Sequence, residues 1–86
     1  MKVYRFDYFL AKKADKDQKT TLQISRELRS HLGLSPQSYS RLRNTKYSKG
    51  LRLTSHLLSI SFFLNCQMDD LINPSVRAEI LQSKSN

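Results

Sequence analysis

The sequence predicts an all-α fold, a compact bundle of about five helices around one core. Three observations carry that expectation. Apolar residues recur at three- and four-residue spacing through most of the chain, the period of a helix that buries one face. Two Gly and two Pro among 86 residues suit helices with short connections better than a turn-rich β architecture. Two helical patterns also abut at Gly33 with stop and start residues in the correct order, which makes residues 21–44 a helix-turn-helix. The length is that of one domain with one modest core.

Taken in chain order, the first apolar segment is ambiguous. Val3, Phe6 and Leu10 share a helical face, whereas Tyr4, Phe6, Tyr8 and Leu10 alternate as a strand does. Helical surroundings favour the helix. The polar run 14–19 reads as a surface loop or a frayed helix end. Thr20 or Thr21 can then N-cap a helix through Leu32, in which Ile24, Leu28 and Leu32 line one face. Gly33 stands where a helix ends best in a left-handed residue, and Leu34 supplies an apolar plug. Ser35 can N-cap the second helix, with Pro36 in its first turn, where a missing N–H costs nothing. Leu32, Leu34, Tyr39 and Leu42 are expected to be buried, leaving Gln37, Ser38, Arg41 and Asn44 to point elsewhere. Residues 45–52 are a basic loop. Thr54 can cap a charge-poor helix over 54–64, whose Leu57, Leu58, Ile60 and Leu64 imply burial on most sides. Asn65 ends it. Met68, Leu71 and Ile72 mark a short helix opened by Asp69 and Asp70, whose charges suit a helix N-terminus. Asn73-Pro74 stops that helix. Val76, Ile80 and Leu81 suffice for one more small helix over 75–82, before a disordered tail.

Charge is polarised along the chain. Residues 1–52 carry thirteen basic and four acidic side chains, a net of +9, whereas residues 53–86 carry two and three, a net of −1. A basic front half implies a polyanionic partner, and nucleic acid is the commonest. Cys66 is the single cysteine, so neither an intrachain disulfide nor a cysteine-based zinc site is expected. His31 and His56 have no acid or Cys at ligand spacing, so no metal site is expected and no cofactor is implied. A Gly-rich phosphate cradle, paired carboxylates and a nucleophile–base pair are all lacking, so no enzymatic role is expected. The start, MKVYRFDYFL, mixes acids and bases and has no apolar run or cleavage site of a signal peptide. The longest apolar-rich run, Leu57 to Leu64, is far short of a membrane span. A soluble cytoplasmic protein is the expectation.

With these parts in order, residues 25–72 resemble the helix-turn-helix domain of Cro/CI-type (XRE-family) bacterial and phage regulators. In that family a helix ending L-x-x-x-L-G leads into a short recognition helix, and Leu28 to Gly33 occupy that place here. Tyr39 and Leu42 correspond to the apolar pair of the recognition helix, residues 45–49 to its basic loop, and 54–64 and 68–72 to its closing helices. The stretch LNCQMDDLI is similar to the family's usual ending. Arg29 stands where the family usually has a small residue, and its guanidinium is expected to snorkel past a packed stem.

The resemblance implies that the recognition helix enters the major groove. Gln37, Ser38 and Arg41 are then the base-edge candidates, since Gln pairs bidentately with adenine and Arg with guanine. Arg26, Ser35, Asn44, Lys46, Tyr47 and Lys49 are the DNA-backbone candidates, which set register without reading sequence. The implied organisation is a DNA-binding domain over 1–74 and a C-terminal segment over 75–86. The implied function is a transcriptional regulator, a repressor binding double-stranded DNA as a homodimer. A phage, prophage or other mobile element in a bacterial cell suits so minimal a regulator. Two alternatives stand beside it. One is an antitoxin that binds DNA and a toxin protein, and the other is an RNA- or protein-binding adaptor.

Overall fold

The ambiguous apolar spacing at residues 3–10 is divided between the two periods. In the computed structural model, which describes residues 1–84, residues 1–5 form a non-helical strap and helix α1 follows over Phe6–Asp17. Lys2 and Tyr4 make single antiparallel bridges, to Lys46 and Ile72. Backbone hydrogen bonds hold the strap on both sides. Val3 N–H donates to the Thr45 carbonyl (2.8 Å) and Tyr47 N–H to that of Met1 (2.9 Å). Toward the other side, Asn73 N–H donates to Val3 (2.8 Å) and Arg5 N–H to Leu71 (2.7 Å). Val3 is fully buried. The Tyr4 hydroxyl accepts from Thr54 N–H at 2.8 Å. Burial raises that phenol above its ordinary range, and the Thr54 bond partly offsets the rise.

Helix α1 buries Phe6, Phe9, Leu10 and Ala14 and ends at Gln18, which is left-handed at φ 56°. Its last turn extends further into the polar run 14–19 than a surface loop would. Helix α2 (Thr21–Leu32) packs Ile24 and Leu28 against α1 and the core. Helix α3 (Pro36–Arg43) contributes Tyr39. An edge-to-face aromatic series ties these parts together, with Tyr4–Phe6 and Phe6–Tyr39 centroids 5.8 and 6.3 Å apart. Leu32, Leu34 and Leu42, expected to be buried, are half-buried and pack on the outside of the core. The helix-turn-helix lies at the surface, so its outer turn is covered on one side only.

Helix α4 (Leu57–Leu64) begins three residues later than Thr54 suggested. Thr54 instead caps the turn before it, its hydroxyl accepting from His56 N–H (3.2 Å) and its carbonyl from Leu57 N–H (3.4 Å). Nor is α4 covered on most sides. Ile60, Ser61 and Leu64 face the core, but Leu58 and Phe62 are 55% and 78% exposed. Its neighbours α1, α2 and α5 cover one face, and a helix without charges shows no pattern from which the open face can be read. Asn65 ends it in the left-handed region, at φ 54°. The short α5 (Met68–Leu71) carries Asp69 and Asp70 in its first turn. Ile72, in extended conformation, ends α5 one residue before the expected Asn73-Pro74 stop. Asn73 opens α6 (Pro74–Lys84), its Oδ1 accepting from Ser75 N–H (3.1 Å). Val76 of α6 is fully buried in the core. Of the tail expected to be disordered, Ser83 and Lys84 are helical backbone, and residues 85–86 lie outside the described residues. Among the described residues no helix is long and apolar enough to cross a membrane.

Candidate nucleic-acid interface

Local chemistry builds the helix-turn-helix. Thr20 and Gln23 form a reciprocal capping box: Gln23 N–H donates to the Thr20 hydroxyl (3.1 Å) and Thr20 N–H to the Gln23 side chain (2.9 Å). At the other end of α2, Gly33 is left-handed at φ 67°. Its N–H donates to Ser30 and that of Leu34 to Arg29, at 3.1 and 3.2 Å. This pairing satisfies carbonyls that a helix end otherwise leaves bare. Arg29 is half-buried, and its guanidinium donates to the Leu34 carbonyl at 3.4 Å across the turn. Ser35 caps α3 by accepting from Ser38 N–H (3.1 Å), and Pro36 takes the first turn.

Three long-range contacts set the pose of α3. The Tyr39 hydroxyl lies 2.8 Å from that of Ser25 on α2, in a buried setting. Arg43 donates to Asp7 of α1 and, at 3.4 Å, to Ser25. Its guanidinium also sits 5.8 Å from the centre of the Tyr39 ring. No pattern in the sequence singles out Arg43, Ser25 and Asp7. Asp7 is 36 residues from Arg43, and no local signal joins residues that far apart.

The opposite face of α3 is open. Gln37, Ser38 and Arg41 are exposed, and so are Ser40 and Asn44. Among the described residues no carboxylate pairs with Arg41. Ser38 Oγ accepts from the Ser35 hydroxyl at 3.0 Å, so Ser35 is committed to the cap and to Ser38. Asn44 ends α3 with its amide on the Ser40 carbonyl (2.9 Å), and the Thr45 hydroxyl donates to the Arg41 carbonyl (2.8 Å). Beyond it, Lys46 and Lys49 are exposed, whereas Tyr47 is half-buried and packs on the core. Arg26 is exposed on α2, one residue beyond the buried Ser25 that meets Tyr39. The arrangement is one rigid helix with amide, hydroxyl and guanidinium groups outward, flanked by exposed cations. Such a surface has donors for base edges and charge for phosphates.

The family model for the Cro/C1-type helix-turn-helix DNA-binding domain matches residues 17–75, well over half of the chain. No curated protein and no solved structure matches it.

Proposed function

The chain belongs to the Cro/C1-type helix-turn-helix DNA-binding family, and from that premise we propose that it is a sequence-specific transcriptional repressor acting as a dimer by operator occupancy. The division of α3 carries this reading: Tyr39 is buried and bonded to α2, while Gln37, Ser38 and Arg41 are exposed on the other face. In the major groove Gln37 reads adenine and Arg41 reads guanine, with Ser38 beside them. Arg26, Lys46 and Lys49 hold phosphates, and Ser35, Asn44 and Tyr47 line the margins of the contact. One recognition helix reads only a few base pairs, so two copies on a two-fold-related site are needed. The exposed Leu58 and Phe62 of α4, with Met68 and Leu81, offer apolar surface for the second copy.

Selection of bound duplexes from a random pool tests the reading directly, and a two-fold-related consensus is the expected result. Affinity for that duplex should fall steeply with salt. If each subunit neutralises three to five phosphates, the log–log slope is about −5 to −9. A flat response between low and physiological salt would sink the DNA-binding reading.

A further inference from the structure

We propose that Lys2 and Lys46 form a two-lysine clamp on a single DNA phosphate, fixed to the C-terminal end of α3. The proposal rests on the DNA-binding reading above and adds to it a residue from the strap, far in sequence from the helix-turn-helix. Lys2 lies directly opposite Lys46 in an antiparallel bridge. The flanking bonds, Val3 N–H to Thr45 and Tyr47 N–H to Met1, make this the non-hydrogen-bonded kind of pair. In that kind the side chains leave on the same side and lie closest, with Cβ atoms about 5 Å apart. Like charges on directly opposed residues are destabilising, and stems rooted this close let both ammonium groups reach one anion. Both lysines are exposed, and among the described residues neither has a carboxylate in ion-pair range. A juxtaposition that costs the free protein stability is offset when one anion sits between the two charges.

The clamp is coupled to α3 through a short series of bonds. The Thr45 hydroxyl holds the Arg41 carbonyl, the Asn44 amide holds Ser40, and the Thr45 carbonyl receives Val3 N–H. Val3 is fully buried, so the strap cannot slide. A phosphate gripped there sets how far along the groove Arg41 lies.

The test compares the full chain with Lys2→Ala, Lys46→Ala, the double variant and Lys2→Glu, on the selected duplex and on a random duplex of equal length. Either alanine variant should weaken both duplexes by the same several-fold factor. The log–log salt slope should shrink by about 0.9 for each phosphate that is no longer neutralised. The effect of Lys2→Ala should be smaller in the Lys46→Ala background, because one phosphate is shared. Lys2→Glu replaces a like-charge pair with an opposite one, so at low salt it should melt no lower than wild type yet bind DNA more weakly than Lys2→Ala. Wild-type affinity in Lys2→Ala, additive effects of the two lysines, or a lowered melting temperature for Lys2→Glu would each overturn the clamp alone. A wild-type chain that binds no duplex would overturn the DNA-binding reading and the clamp together.

Discussion

The hydroxyls of Ser25 and Tyr39 meet at 2.8 Å across the junction of α2 and α3, and both residues are buried. This bond fixes the angle at which α3 leaves α2, and Arg43 reinforces it by reaching Ser25 and Asp7. Tyr39→Phe keeps the ring and removes the bond. The Ser25 hydroxyl then retains only the longer Arg43 contact, at a cost of about 1–2 kcal/mol in chemical denaturation. Arg43→Ala should cost less than about 1 kcal/mol through its ion pair, because the Asp7 carboxylate is 72% exposed and screened by water. A larger loss from Arg43→Ala than from Tyr39→Phe would show that the guanidinium, and not the hydroxyl pair, is the fastener.

Burial ranks three further substitutions. Leu28 is fully buried, so Leu28→Ala should cost about 2–5 kcal/mol, a large share of so small a domain's stability. Leu42 is half-buried, and Leu42→Ala should cost roughly half as much, since less apolar area leaves water on folding. Gln37→Ala, on the open face of α3, should stay within about 0.5 kcal/mol. Thermal melts of the three variants check the order. Equal losses for Leu42→Ala and Gln37→Ala would mean that the inward and outward faces of α3 have been exchanged.

Reading and holding should separate by variant. Arg41→Ala is expected to cost about 1–3 kcal/mol on the selected duplex and little on random DNA. Lys49→Ala should weaken both alike and reduce the salt slope by about one per contact removed, hence by about two in the dimer. Titrations of the two variants at several salt concentrations distinguish these outcomes. Equal weakening of both duplexes by Arg41→Ala would remove α3 from the groove.

Cys66 should be a slow nucleophile. Burial raises its thiol pKa, the nearby Asp70 carboxylate raises it further, and Lys12 opposes them. Alkylation near pH 8 should therefore be slower in the folded chain than after denaturation, because the thiolate is the reactive form. In linkage terms the folded value lies above the unfolded one. The group therefore takes nothing from stability below the unfolded thiol's range, about 8.5. Stability falls as the pH climbs from there through the raised folded value. Equal alkylation rates before and after denaturation would contradict this assignment.

What the sequence by itself determined is the part of the protein that neighbouring residues can settle. Thr20 with Gln23, Gly33, Ser35 with Pro36, and Asn65 each act within one helical turn, so the stops and starts of the helix-turn-helix were legible. The four-residue spacing of Ile24 and Leu28 likewise assigned the buried face of α2 before any packing was known. Tertiary structure decided the rest. The N-terminal residues fit two periods equally well, and only pairing with residues 45–47 and 71–73 made a strap of 1–5 and left the helix to begin at Phe6. The charge-poor α4 had no polar face to mark its orientation, so which of its apolar residues stayed in water depended on how much of it α1, α2 and α5 could cover. Arg43 with Asp7 and Lys2 with Lys46 lie 36 and 44 positions apart. Caps and periodicity act within a turn or two of backbone, whereas pairs at that separation form only when the closed core brings their segments together.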